Sequence, residues 1–344
     1  MRVGYYDDRV FAEHDAGPGH PERPERLEAV RRGLREGRLL DALVPLAPRD
    51  ATREELLRVH SATHVDRVAA TQGRRVRFDA DTATGPRSYE AAVRAAGAVV
   101  DAVSRVLDGG LDRAFCNVRP PGHHATPGRP MGFCLFNNVA VGAAAALARG
   151  VARVAVVDFD VHHGNGTQET FYADPRVLYL SSHQFPFYPG TGSLSEVGEG
   201  EGRGFTVNLP MPLGLGDGEY GRAYREIVEP IGRAFDPELV LVSVGFDPHR
   251  NDPIGNMDVT AAGFAELMDV CLAIASGCAR GRLVAVVEGG YDLDGIAESA
   301  AATVRQMLGE PARAPADSSQ PGLEALLAAY RDMHGRYWPA LKQG

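Results

Sequence analysis

Residues 153–168 read RVAVVDFDVHHGNGTQ, an apolar run that meets Asp158, Asp160, His162, His163 and Asn165 within eight positions. Carboxylates left unpaired at the end of a buried strand are costly, so this cluster needs a compensating positive charge. Asp160 and His162 stand two apart and share one side if extended backbone continues past the strand. Asp247, which follows LVLVSVGF, can enter the same space from a neighbouring strand. Two carboxylates and one imidazole suit Zn²⁺ or Fe²⁺, and three protein ligands leave a coordination position for water, as in catalytic sites. The plainer alternative is a buried Asp160–His162 pair, or a helix cap, with no metal. Asp158 is expected to point elsewhere and accept a histidine N–H, and Asn165 to do the same for a second histidine. His163 reads as structural. GNGT reads as a tight turn in which Asn165 or Thr167 caps a helix beginning near Gln168.

A second cluster, RPPGHHATPGRPMGFC, holds His123 and His124 behind a rigid Pro-Pro-Gly turn. Amide hydrolysis needs a base for the attacking water and an acid for the leaving amine, and imidazole serves both roles. A surface loop is the alternative for such a pair taken alone. Tyr291, in EGGY, follows two glycines that permit close backbone approach, and its phenol is suited to a developing oxyanion. Phe133 and Tyr188 read either as walls of a narrow channel or as packing residues.

These groups share one placement. RAFCNV runs into RPPGHHA, RVAVV into DFDVHHGNG, LVLVSV into GFDPHRNDP, and LVAVV into EGGY. Four strands thus deliver polar groups just past their carboxyl ends, the edge at which open α/β sheets bind ligands. Strands are predicted over 3–6, 113–118, 153–159, 177–181, 205–209, 239–244 and 283–287. Helices are predicted over 88–107, 138–148, 218–235, 260–275 and 294–308. Near-continuous apolar strands alternating with helices imply an α/β fold, its mostly parallel sheet covered on both faces. Residues 1–308 read as one catalytic domain. A Pro- and Ala-rich linker over 309–322 follows, then a helical tail to 344 that packs on the body or on another subunit.

The net charge is −9, and of the 36 basic residues only Lys342 is not arginine. That balance argues against a nucleic-acid binder. Four cysteines without CxxC spacing suit a reducing compartment. The N-terminal MRVGYYDDRV lacks a leader pattern, and no apolar run is expected to reach membrane-spanning length. A cytoplasmic protein without membrane contact, with homo-oligomerisation left open, is the expectation.

RPPGHHA, GFCLFNNVAV, VVDFDVHHGNGTQ, YPGTG, GFDPHRNDPIG and EGGY occur in the order found in the histone deacetylase and acetylpolyamine amidohydrolase family. From about His20 to Leu308 the chain resembles that family, and several long motifs in order make the likeness specific. Asn165 resembles the class II and bacterial branch. The resemblance implies an arginase/deacetylase-like three-layer α/β fold and zinc-dependent removal of acetyl or related acyl groups from acetylated lysine or from other acetylated amines. It implies Asp160, His162 and Asp247 as metal ligands and His124 as general base and acid, supported by Asn165. It further implies His123, paired with Asp158, as electrostatic partner, and Tyr291 as the group that polarises the acyl carbonyl. Gly132, Phe133 and Tyr188 would line the acyl-lysine tunnel, and Arg26 would stand near an acetate exit channel. Potassium would sit at Asp158, Asp160, His162, Ser181 and Ser182, partly through backbone carbonyls. Ile254, seven residues after Asp247, occupies the position of a gating glutamate in a polyamine-selective relative. An apolar residue there leans toward acyl-lysine, because a dication wants an acid at close range. Glu22, Asp79 and Asp81 are expected near the rim. A binding module that keeps the pocket without turnover is the non-enzyme alternative.

Overall fold

The computed structural model describes residues 1–311 and 320–342, so most of the expected linker, 312–319, lies outside the described residues. The strands are β1 (Val3–Tyr6), β2 (Leu43–Leu46), β3 (Val76–Arg77), β4 (Ala83–Thr84), β5 (Arg113–Cys116), β6 (Val154–Asp158), β7 (Val177–Gln184), β8 (Thr206–Met211), β9 (Leu239–Val244) and β10 (Leu283–Val287). The helices are α1 (Glu25–Glu36), α2 (Arg53–Leu57), α3 (Ala62–Ala69), α4 (Ser88–Leu107), α5 (Asn138–Ala148), α6 (Asn165–Phe171), α7 (Asp217–Ala223), α8 (Glu229–Phe235), α9 (Ala261–Cys278), α10 (Leu293–Met307) and α11 (Leu323–His334). Eight strands form one parallel sheet in the order β2-β1-β5-β10-β9-β6-β7-β8, and β3 and β4 pair as a small antiparallel ribbon.

Alternation along the central strands divides the core in two. Val154 and Val156 of β6, and Leu239 and Leu241 of β9, join the apolar cluster of α2 to α6. Ala155, Val157, Val240 and Val242 join the cluster of α1 and α7 to α11. The sheet is therefore sandwiched, as the apolar runs require: β5, β6, β7, β9 and β10 are buried at every residue.

Several expectations are corrected. The helix predicted over 218–235 is three pieces, α7, a π-helical segment Tyr224–Val228, and α8 with proline in its first turn. Pro230 has no N–H for the regular ladder, and the widened turn ahead of it absorbs the break. The helix after GNGT starts at Asn165 rather than near Gln168, and no side chain caps it. Asn165 and Thr167 instead bond His124 and Asn137. By length and composition α9 could cross a bilayer, contrary to expectation, but half of it is buried, with Phe264, Leu267, Met268 and Ile274 inside the core. The tail packs on the body. Leu327, Tyr330, Trp338 and Leu341 belong to the α1/α7–α11 cluster, and Trp338 Nε1 donates to the Gly204 carbonyl at 2.8 Å.

Candidate active site

The carboxyl ends of β5, β6, β9 and β10 open on a cavity of about 190 Å³. His123, His124, Gly132, Phe133, His162, Phe187, Tyr188, Ile254 and Tyr291 line it, with Asp81 among the remaining lining groups.

At its base stand Asp160, His162 and Asp247, all buried, with one potential ligand atom from each within 4.8 Å of the others. Their convergence is not a product of the strand pleat. β6 ends at Asp158, and the chain then turns. Asp160 Oδ1 accepts the backbone N–H of His162 at 2.9 Å, which folds the imidazole back onto the carboxylate. His162 Nδ1 lies 3.0 Å from Asp160 Oδ1 and 3.2 Å from Asp247 Oδ2. Two ligands each about 2 Å from a tetrahedral ion stand roughly 3.3 Å apart, so this spacing fits a single small cation. Asp247 Oδ1 accepts the Val161 N–H at 2.8 Å, whereas its buried Oδ2 faces only the His162 imidazole, at 3.2 Å and outside good hydrogen-bond geometry. Gly245 and Gly289 keep the surroundings clear. A Cβ on Gly289 would lie 2.1 Å from Asp247 Oδ2, and one on Gly245 2.2 Å from Asp160 Oδ2.

The electrostatics ask for positive charge. Burial opposes ionisation of Asp160, yet His123 and His162 hold it below the usual carboxylate range. Burial and the neighbouring Asp160 lift Asp247 to about 7. Burial also disfavours a charged His162, but bonds to Asp160 and Asp247 outweigh it and raise its pKa to about 9. A divalent cation among the three would balance both carboxylates and take the imidazole in its neutral form.

The tandem histidines have different partners. His123 Nδ1 lies 3.1 Å from Asp158 Oδ2, which also accepts the Tyr179 hydroxyl at 3.1 Å. Burial works against a charge on His123, but Asp160 and Asp158 raise its pKa to about 10. His124 Nδ1 meets the neutral Asn165 Oδ1 at 2.8 Å. Burial, reinforced by the cationic His123 and His162, holds His124 well below the ordinary imidazole range. One ring is thus kept charged and its neighbour, 4.0 Å away between centroids, is kept neutral. His163 turns away, to Thr191 Oγ1 and Gln168 Oε1.

Phe133 and Tyr291 meet edge to face at 6.0 Å, and Phe187 stacks on His162 at 5.3 Å. Tyr188, 38% exposed, forms part of the mouth and sets its ring 5.2 Å from that of His124. Gly132 lines the cavity and clears space for the His124 ring, since a Cβ on it would lie 2.5 Å from His124 Cδ2. Burial keeps the Tyr291 phenol protonated far into the alkaline range. Arg26 lies 5.0 Å from the Tyr291 ring centre and donates to the Gly290 and Glu288 carbonyls. Asp158 pairs in register with Ser181, and the Ser182 hydroxyl meets Tyr224 OH at 2.9 Å.

Glu22 is not at the rim. It is 1% exposed and accepts from Arg26 and Arg119 deep behind the cavity, because two buried guanidinium groups require a carboxylate there. Of the other two acids, Asp81 reaches the cavity, while Asp79 accepts the Thr82 N–H at 2.7 Å. Three contributors escaped sequence reasoning. Glu288 holds the His123 segment by accepting the Gly122 and His123 N–H groups at 2.6 and 3.1 Å. Phe187 backs His162, and Asp252 braces two site loops. The run VVEGG was a signal for Glu288, being a carboxylate one residue past a buried strand.

Comparison with known proteins follows this geometry. A family model described as a histone deacetylase domain matches residues 20–307. The chain is 38% identical over 299 residues to the "Probable deacetylase" of Archaeoglobus fulgidus, covering 86% of this chain and 83% of that one. It is 42% identical over 340 residues to polyamine deacetylase HDAC10 of Homo sapiens, covering 94% of this chain and 50% of that protein. It spans 38% and 59% of the lengths of a Candida albicans and an Arabidopsis thaliana histone deacetylase that it also matches. The crystal structure of the HDA15 HD domain superposes with a TM-score of 0.92 at 38% identity, covering 99% of this chain and 96% of that one. An eight-stranded parallel sheet between two helical layers is thus the arginase/deacetylase-like fold, and the chain belongs to the histone deacetylase family.

Proposed function

We propose that this chain is a metal-dependent amidohydrolase that removes acetyl or related acyl groups from lysine side chains of peptides or proteins. The observation that carries the reading is the buried Asp160–His162–Asp247 set, two carboxylates closing on one imidazole, at the base of an aromatic cavity that also holds two histidines and a phenol. Zinc suits these donors, with iron(II) the second fit. When bound, the ion supplies Lewis acidity, polarising a carbonyl oxygen and lowering the pKa of a water.

The remaining roles fall to the chain. Phe133, Phe187 and Tyr188 admit an extended alkyl arm and exclude water around it. With Nδ1–H donated to Asn165, His124 presents a free Nε2 and takes a proton from the attacking water. It then returns a proton to the leaving amine, so amide and water become carboxylate and amine. His123, held cationic over Asp158, contributes fixed positive charge beside the reacting centre. Tyr291 donates its hydroxyl to the carbonyl oxygen as negative charge develops, and binding that strengthens in the transition state raises the rate. Potassium at Asp158, Asp160, His162, Ser181 and Ser182 is proposed from the hard oxygen donors that the β6 and β7 ends offer. Arg26 is proposed to meet the released acetate. A cytoplasmic location is proposed from the four free cysteines, which suit a reducing compartment.

One observation favours a second substrate class, small acetylated amines: Asp81 reaches the cavity and could meet a cationic tail. Ile254, also at the cavity, favours the first. Comparison of kcat/KM for an acetyl-lysine peptide, a trifluoroacetyl-lysine peptide, N-acetylputrescine and an aryl ester, with and without chelator, tests both. The expected result is chelator-sensitive turnover with the peptide ahead of N-acetylputrescine. The reverse order overturns the substrate reading, and full metal content without turnover indicates a binding module.

A further inference from the structure

Two loops that contribute to the cavity, 245–256 after β9 and 288–292 after β10, meet at one carboxylate. Asp252 is 7% exposed. Its Oδ1 accepts the backbone N–H groups of Ile254 and Gly255 at 2.9 and 3.2 Å. Its Oδ2 accepts those of Tyr291 and Asp292 at 2.6 and 3.2 Å. A carboxylate is the only common side chain that can serve four converging donors in this way, two at each oxygen. The second loop is gripped from its other side as well, since Arg26 donates to the Gly290 and Glu288 carbonyls. Gly290, at φ +110°, makes the sharp bend between these two holds.

We propose that Asp252 is a positioning residue that clasps the Tyr291 loop to the Ile254 loop, so that the phenol and the apolar rim move as one unit. Its catalytic consequence rests on the deacylase reading above. Asp252 itself does not line the cavity among the described residues. It acts by fixing where the Tyr291 Cα stands relative to the metal-ligand loop that carries Asp247. Asparagine in its place keeps one acceptor oxygen and turns an NH₂ group toward two N–H donors, so the link between the loops is cut whichever way the amide faces and neither is then held by the other.

Hydrogen exchange of the full chain tests the clasp without reference to turnover. In D252N, exchange of backbone amides in both 253–256 and 290–293 is expected to rise about tenfold or more over the wild type. Acceleration confined to 253–256 overturns the proposal. In the active enzyme, kcat of D252N is expected to fall on the order of 10²-fold with KM changed little, as for a misplaced catalytic group. The double variant D252N/Y291F should then be no slower than Y291F alone, because the first change acts through the second residue. Additive losses overturn the route through Tyr291. Should D252N not fold, D252S, which keeps one short acceptor, is read by the same criteria. A wild type that hydrolyses none of the four substrates ends the deacylase reading, whereas the clasp still stands or falls on the exchange data.

Discussion

His123 and His124 are neighbours in sequence with opposite electrostatic characters, and the difference lies in which of them has carboxylates beside it. Asp160 and Asp158 keep the His123 ring charged, while His124, which meets only the neutral amide of Asn165, is held neutral by burial and by the cations beside it. Tyr291 completes the set with a donor that burial keeps protonated. Tyr291→Phe is therefore expected to lower kcat by about 10²–10³-fold, the cost of one lost oxyanion donor. Metal content by elemental analysis should stay at the wild-type level, and near wild-type turnover would remove Tyr291 from the chemistry. Asp247→Ala should lose tightly bound metal, and full occupancy in that variant would refute its role as ligand. These residues were legible because type and spacing announce them. Asp252 was not, since its partners are backbone N–H groups, two of them about forty residues further along the chain. Glu22 misled for the opposite reason, as nothing local reveals that Arg26 and Arg119 converge on it.

Elements were legible where burial was complete. The runs that became β6, β9 and β10 are apolar throughout because both faces of the sheet are covered. β2 escaped notice because it is an edge strand: LVPL carries Pro45, and two of its four residues are exposed. α1 was hidden by its arginines and glutamates, since only one stripe, including Leu27, Val30 and Leu34, meets the core. The tail divides along the same line. α11 shows helical spacing, but its docking onto the body depends on Trp338, whose ring meets Phe205 and Phe235 edge to face at 5.6 and 6.3 Å. Trp338→Ala is expected to cost about 3–5 kcal/mol of stability, read from urea unfolding, while kcat of the folded fraction is retained. A change below about 1 kcal/mol would show the tail to be dispensable to the core.

Two buried histidines outside the site each add an acid-sensitive contribution to the stability of the whole molecule. Burial holds His60 down to about 3 and His334 down to about 4, against an ordinary 6.5. Between those values and 6.5 these two residues are protonated in the unfolded chain and not in the folded one, so the stability they contribute is fully present above about pH 6.5 and declines as the pH falls. From pH 7.5 to 5.0 each of these two histidines is expected to remove about 2 kcal/mol. Urea unfolding of the wild type and a His334 variant at the two pH values checks the sign. His334→Gln, which keeps a donor toward the Asn208 carbonyl, should flatten the dependence by about half of that sum.

Strand order carries a last consequence. β10 is the last strand among the described residues, yet it lies in the middle of the sheet, between β5 and β9. During synthesis, β2-β1-β5 and β9-β6-β7-β8 must wait as two separate ribbons with unsatisfied inner edges until residues 283–287 emerge from the ribosome. Unpaired edges recruit other strands, so a nascent chain stalled before that keystone is a template for aggregation. The segment that seals the gap then leads directly into Tyr291, so the phenol arrives only as the sheet closes.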